Sequence, residues 1–349
     1  MRALLYESFG ALPRVANVPD PVLPRDGVVV EVKASGLCKS DWRGWLGHDA
    51  DIRTLPHIPG HEFSGVIAAT GPGAQRWRVG DRVTTPFVLG CGVCDYCLAG
   101  DQQVCEKQFQ PGFSGPGSFA EYVALPFADI NLVRIPDEMQ FVAAAALGCR
   151  FVTAFRGIAK QARLRSGEWV AVYGCGGVGI SAVMIARALG ANVIAVDVVE
   201  DRLSLAREAG AAYTFNASDI TDSPEAIREI TAGGVHVSVD AFGGANTCRN
   251  SILSLRRRGR HVQIGLLLGD QSEPALPMGK VIAHELEIFG SHGIQAHAYP
   301  EILDLIAIGK LPLEKLIGRR ITLDEAGAAL ASLDSSSVKG ITVIDRFAA

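Results

Sequence analysis

The chain has 349 residues, of which 48% are hydrophobic and 20% charged, with a formal net charge of −4. That length exceeds what one hydrophobic core usually serves, so two domains are expected. The lack of a basic excess argues against nucleic acid or an anionic membrane as partner, and no apolar run approaches the length of a membrane span. The opening stretch MRALLYESFGALPRV lacks the apolar core and cleavage site of a signal peptide, so a cytoplasmic location is expected. The first 150 residues then read as short β-rich segments. GVVVEVKASGLC, FSGVIAAT and RWRVGDRVTTP suggest strands, and Gly71, Pro72, Gly73, Gly80 and Asp81 mark turns.

Residues 91–105, CGVCDYCLAGDQQVC, place Cys91, Cys94, Cys97 and Cys105 in the pattern C-x2-C-x2-C-x7-C. In a reducing compartment such spacing more often binds metal than forms disulfides. Four thiolates complete the tetrahedral shell of zinc and leave no position for water or substrate, so this site reads as structural. A redox or iron–sulfur centre is the alternative that the same spacing admits.

From about residue 168 apolar runs alternate with amphipathic stretches: WVAVY, a glycine loop, ISAVMIARALG, NVIAVD, VEDRLSLAREAG, then HVSVDAFG, TCRNSILSLRRRG, RHVQIG and LEIFGS. This βαβ alternation, with nearly continuous apolar strands, predicts a doubly wound parallel sheet covered on both faces. AYPEILDLIAIGKL reads as a further helix and KGITVID as a last strand.

Directly after WVAVY, residues 174–179 read Gly174, Cys175, Gly176, Gly177, Val178, Gly179, a G-x-G-x-x-G loop opening a helix near Val178. Glycine serves there because the chain turns tightly and its backbone must approach a pyrophosphate, which the helix N-terminus then attracts. VIAVD ends in Asp197, eighteen residues past the last glycine, where a carboxylate accepts hydrogen bonds from ribose hydroxyls and repels a 2′-phosphate. NAD is therefore expected in preference to NADP; the alternative for Asp197 is an ordinary solvated carboxylate. Cys175 reads as a small space-filling residue, and Cys248 as core packing.

Three further pieces are GLCKSD at 36–41, PGHEFSG at 59–65 and LGCRFVTAFRG at 147–157. Together with GDRV, the cysteine lobe, GSFAEY, GCGGVG and KGITV, in that order along essentially the whole chain, they resemble the zinc-dependent medium-chain alcohol dehydrogenases. The resemblance implies a GroES-like β-barrel catalytic domain over 1–150, a Rossmann domain over 151–288, and a return of 289–349 to the first domain, with the active site in the cleft between them. It implies two zinc ions per chain. Cys38, His61 and Cys149 would hold the catalytic one, leaving one position open, and Glu62 would be an outer carboxylate able to approach it during ligand exchange. Asp41 would orient His61. Ser40 would bond the substrate oxygen and start a proton relay, a local turn hydrogen bond being its alternative role.

Matched positions add Lys39 on the pyrophosphate, Arg202 beside the adenosine ribose, and Phe242, Gly265, Leu266 and Ser291 along the dinucleotide, with ordinary core packing the alternative for the apolar ones. Trp42, Phe87 and Phe113 fall where relatives line the substrate pocket, which suits apolar or aromatic alcohols, primary or secondary. The activity implied is reversible hydride transfer between such an alcohol and NAD, giving aldehyde or ketone. A polyol or amino-alcohol dehydrogenase is the alternative within the family, and a non-enzymatic dinucleotide-binding protein the alternative outside it. A homo-oligomer is implied, a tetramer over a dimer.

Two positions depart from the family pattern. The relay histidine is replaced by Arg43, and arginine cannot shuttle protons as imidazole does, so solvent or His48 is expected to take over. The pyrophosphate arginine after the glycine of KGITV is replaced by Ile341, which predicts a weakened grip on the cofactor through Lys39 alone.

Overall fold

The computed structural model describes residues 1–334 and 339–348. The chain divides into two compact units, one made of Met1–Val152, Gly293–Asp304 and Ile317–Ala349, the other of Thr153–His292 and Leu305–Leu316. Among the described residues no helix is long and apolar enough to cross a membrane.

The first unit is organised around the strand Val28–Gly36, whose alternating Val28, Val30 and Val32 enter a buried cluster with Phe63, Ile67, Val83, Phe119, Val123 and Leu125. Period-two alternation puts these side chains on one face, and burying that face is the main favourable term. Val28–Gly36 pairs antiparallel with Glu62–Thr70, in a register that sets Gly36 opposite Glu62 and Ser35 opposite Phe63. Arg82–Thr84 and Val133–Arg134 continue the sheet on that side, and Tyr122–Leu125 also pairs with Val28–Gly36. On the other side Ile341–Arg346 pairs antiparallel with the end of Val28–Gly36 and parallel with Ile317–Thr322. The last strand of the chain thus fills a place in the N-terminal sheet.

The second unit carries a parallel sheet with the spatial order Tyr213–Asn216, Asn192–Asp197, Trp169–Tyr173, Val235–Asp240, Leu255–Gln263, Glu287–Gly290. Numbered along the chain this is 3-2-1-4-5-6, the Rossmann order, whose direction reverses between Trp169–Tyr173 and Val235–Asp240. The helix Gly177–Ala188 opens directly from the glycine loop. The predicted helix over TCRNSILSLRRRG is shorter than its pattern: it covers Ala245–Leu253, and the arginines belong to the following strand, where Arg258 takes a left-handed φ of 61° that no helix accommodates. Cys248 is buried in an apolar cluster with Ala171, Ile194 and Ile252, which accounts for it as packing.

One polar residue inside this unit has a pH consequence. His261 is fully buried. Gln263 donates through Nε2 to Asp240 Oδ2 (3.0 Å) and to the Gly265 carbonyl (2.8 Å), which turns its Oε1 towards His261 Nε2 at 3.3 Å. The proton therefore sits on Nε2, and Nδ1 accepts from Ser251 Oγ (3.0 Å) and Ser238 Oγ (3.2 Å). Burial lowers the imidazole from 6.5 to about 4. The folded protein then binds this proton less readily than the unfolded chain. Its contribution, about 3 kcal/mol, is complete above the unfolded value and is lost as pH falls from about 6.5 to about 4. Thermal unfolding followed from pH 7 down to 4.5 is expected to show this loss, and His261→Gln to flatten the profile; parallel profiles would refute the assignment.

Candidate active site

Cys38 follows the strand Val28–Gly36 and caps the short helix Lys39–Trp45. Its backbone N–H donates to Asp41 Oδ2 at 2.9 Å, an arrangement that folds Asp41 back over the start of the helix. Asp41 is itself buried, and its Oδ1 accepts from the Gly60 N–H (3.1 Å) and from His61 Nδ1 (2.8 Å). With Nδ1–H held by a carboxylate, the lone pair of His61 points out through Nε2. That atom is buried and, among the described residues, has no hydrogen-bond partner.

The ligand atoms of Cys38, His61, Glu62 and Cys149 all lie within 4.8 Å of one another. Cys149 arrives on a loop that only glycine allows: a Cβ on Gly148 would stand 2.7 Å from the Glu62 Cα. A hydrogen bond with Cys149 draws the Cys38 thiol well below its ordinary range against burial, while the same bond and burial push Cys149 up. Burial alone would lower His61, but the charge and hydrogen bond of Asp41, with Cys38, raise it well above its usual value. Burial raises Glu62, and the Arg150 guanidinium partly offsets this. A buried orphan nitrogen facing two thiols is costly without a cation, and two sulfurs with one imidazole are a donor set that suits zinc with one position to spare. These residues fit the metal.

Two aromatic rings close over the imidazole, Phe113 at 5.0 Å and Phe87 at 6.2 Å between centroids, and both are buried. Trp42 packs against the apolar core of the first unit, with the Lys39 ammonium 5.3 Å above its ring. Ser40 lies half-buried in the first turn of the helix that Cys38 caps, and Arg43 is half-buried in its last turn. His48 is exposed just beyond, its N–H bonded to the Arg43 carbonyl at 3.0 Å.

In the cysteine lobe the sulfur atoms of Cys91, Cys94, Cys97 and Cys105 likewise gather within 4.8 Å of one another. Backbone N–H groups of Cys91 and Lys107 both point at Cys105 Sγ, each at 3.3 Å. The N–H of Val93 leads the contacts that lower Cys91 to about 6. Such donors favour thiolates, the form that binds metal. The Asn131 side chain braces the lobe by bonding both the N–H and the carbonyl of Gly90 at 2.9 Å.

The second unit holds the other predicted residues. A Cβ on Gly179 would fall 1.8 Å from the Gly174 carbonyl oxygen, so this position admits no side chain. Asp197 Oδ2 accepts from the Cys175 N–H at 2.6 Å, and Oδ1 from Val198 (2.8 Å) and Val199 (2.9 Å). The carboxylate thus ties the strand end to the glycine loop, with the Arg202 guanidinium 3.9 Å away. Gly176, Gly177 and Val178 form the turn into the helix. Phe242 and Leu266 stand beyond the carboxyl ends of their strands, 60% and 48% exposed, so core packing does not account for them. Gly265 lies against Gly243, where a Cβ would meet the backbone nitrogen at 2.2 Å. Ser291 is buried, its N–H bonded to the Gln263 carbonyl at 3.0 Å. In the first unit the Lys39 ammonium pairs with Asp334, and Ile341 is a buried residue of its strand that offers no donor to a phosphate.

Two family models match: an alcohol dehydrogenase GroES-like domain over residues 24–137 and a zinc-binding dehydrogenase domain over residues 177–307. An alcohol dehydrogenase of Geobacillus stearothermophilus is 37% identical over 312 residues, 89% of this chain and 90% of the relative. The chain belongs to the zinc-dependent medium-chain alcohol dehydrogenase family. It is an oxidoreductase acting on alcohols, with a GroES-like domain and a Rossmann-type domain. Among other members, an L-threonine 3-dehydrogenase of Streptomyces coelicolor is 31% identical over 351 residues, 99% of this chain and 98% of that one. The crystal structure of an NAD-dependent alcohol dehydrogenase superimposes with a TM-score of 0.89 at 32% identity, covering 99% of this chain and 100% of that chain.

For a member of this family, two residues at the site have no counterpart in the sequence reading. Tyr299 is fully buried and donates its hydroxyl to the Leu147 carbonyl at 2.9 Å, bracing the loop that delivers Cys149. Arg150 binds Glu62 through its backbone N–H (3.0 Å) and Nε (2.9 Å), both to Oε1, and through Nη2 to Oε2. The only local signal for Arg150 is that an arginine follows directly on a candidate ligand; for Tyr299 there is none.

Proposed function

We propose that this alcohol dehydrogenase is a zinc- and NAD-dependent enzyme that interconverts an apolar or aromatic alcohol with its aldehyde or ketone, holding one zinc on Cys38, His61 and Cys149 and a second on Cys91, Cys94, Cys97 and Cys105. The observation that carries the first assignment is the buried, partnerless Nε2 of His61 facing two thiols. Zinc, when bound, supplies Lewis-acid polarisation of the substrate oxygen, and NAD accepts the hydride.

The chain's own residues do the rest. Asp41 fixes the tautomer of His61 and so the direction of its lone pair. Phe113 and Phe87 keep water from the imidazole and present apolar surface to a substrate. Ser40 accepts the proton of the alcohol hydroxyl as it gives up its own. Arg43 cannot pass that proton on, so it leaves to solvent. Asp197 favours NAD over NADP by receiving the ribose hydroxyls, with Arg202 beside it, while Phe242, Gly265, Leu266 and Ser291 follow the dinucleotide along the strand ends. Lys39 serves the pyrophosphate, and a homotetramer belongs to the same reading.

NADH formation with purified protein across aliphatic, benzylic and secondary alcohols, sorbitol and L-threonine tests the proposal, with zinc measured on the same sample. Turnover is expected to be fastest with benzylic or long-chain alcohols. A preference for L-threonine, the substrate in the name of the Streptomyces coelicolor relative, would replace the substrate class with an amino alcohol. No turnover of any of these alcohols by a sample holding both zinc ions would overturn the proposed substrate class, and full turnover by a sample lacking the Cys38–His61–Cys149 zinc would overturn the metal assignment.

A further inference from the structure

Glu62 is fully buried with a carboxylate oxygen among the donor atoms of Cys38, His61 and Cys149. Left to itself, a buried carboxylate beside a divalent cation would bind it and close the fourth position. Three of its roughly four acceptor positions are engaged elsewhere. Oε1 accepts the backbone N–H of Arg150 at 3.0 Å and its Nε at 2.9 Å, while Oε2 accepts Nη2. The guanidinium is 11% exposed and grips the carboxylate in a fork, the geometry in which arginine binds carboxylates most strongly.

The pair is confined from both sides. A Cβ on Gly36 would meet Glu62 Oε2 at 2.9 Å and Arg150 Nη2 at 3.3 Å, and one on Gly148 would meet the Glu62 Cα at 2.7 Å. Glycine at Gly36 leaves the space in which the carboxylate and the guanidinium meet, so the ion pair is packed in place while both partners are present. Charge supports the same arrangement. Two thiolates with the buried carboxylates of Glu62 and Asp41 would exceed the charge of one divalent ion by two, and Arg150 offsets one of these beside Glu62. Resting on the zinc reading above, we propose that Arg150 is a positioning residue that holds Glu62 off the metal and so keeps the fourth position open for the substrate oxygen.

The test is zinc release to a chelator, measured on the purified enzyme and on Arg150→Gln, Arg150→Lys and the double variant Arg150→Gln/Glu62→Gln, alongside KM and kcat for an alcohol. In Arg150→Gln the freed carboxylate should become a fourth ligand. Zinc should leave about tenfold more slowly, and the alcohol KM should rise with little change in kcat, because an internal ligand competes with substrate. The double variant should return to the parent release rate. Should Arg150→Gln fail to fold, Arg150→Lys retains the charge without the fork and is expected to move release in the same direction by less. Release as fast as or faster than the parent in the folded single variants, which a purely structural arginine predicts, would overturn the proposal alone. A parent enzyme holding one zinc, on the cysteine lobe, would overturn the metal reading and this proposal with it.

Discussion

Replacing His61 with alanine is expected to lower turnover on the order of a thousandfold, the equivalent of about 4 kcal/mol of lost transition-state stabilisation, while zinc falls from two ions per chain to one. The imidazole is the one nitrogen donor among the sulfurs of Cys38 and Cys149, and Asp41 holds its ring at 2.8 Å. Removing it leaves two thiols and a carboxylate already engaged by Arg150, too few donors to keep a divalent ion against water. The fold should survive, because Asp41 still accepts the N–H groups of Cys38 and Gly60 and the neighbouring strand register is set by backbone pairing. Zinc per chain, the unfolding temperature and turnover, measured on one preparation, separate loss of metal from loss of structure. Two zinc ions and near-parental turnover would remove His61 from the ligand set.

Replacing Asp197 with alanine is expected to weaken NADH binding by roughly a hundredfold and to abolish most of the discrimination against NADPH, since hydrogen bonds to a charged group are worth about 1.5–3 kcal/mol each. The carboxylate acts on both sides of the site. It accepts the Cys175 N–H at 2.6 Å, so part of the loss is a loosened glycine loop, and on the proposed reading its negative charge would repel a 2′-phosphate. Arg202, 3.9 Å from Asp197 Oδ1, would then be released to face that phosphate. Asp197→Asn separates the two effects, because it keeps an acceptor for the loop but not the charge. NADPH affinity should rise in both variants, whereas NADH affinity should fall much further in the alanine variant. Fluorescence titration with each nucleotide reads this directly, and an unchanged NADH-to-NADPH ratio in both would show that Asp197 does not face the ribose. The same titration measures the overall grip on the cofactor, which on the proposed reading is expected to be weak because Ile341 offers no side-chain charge and Lys39 is paired with Asp334.

Some features of this molecule are local and were legible as such. The glycine loop follows its strand and opens its helix at Gly177 because each requirement, a tight turn and then a run of helix formers, lies within a few consecutive residues. The cysteine lobe is equally local: its ligands fall in one short loop, so spacing alone predicts their convergence. Near-continuous apolar runs marked the strands of the parallel sheet, though not where the arginines after Leu253 would lie, since a left-handed turn at Arg258 has no period.

By itself, then, the sequence determined the alternation of strands and helices in the second unit, the glycine loop and the four-cysteine cluster, and the order of its motifs carried the family resemblance. Only the tertiary structure decided which distant groups meet. Cys38, His61 and Cys149 come from three separate segments, joined by the pairing of Gly36 with Glu62 and the close approach of Gly148. Glu62 and Arg150 illustrate the reason. Charged side chains read locally as solvent-facing, and burying them is tolerable only when each finds its partner, here 88 positions apart along the chain. Periodicity records which face of an element is hidden from water; it does not record what lies on the other side.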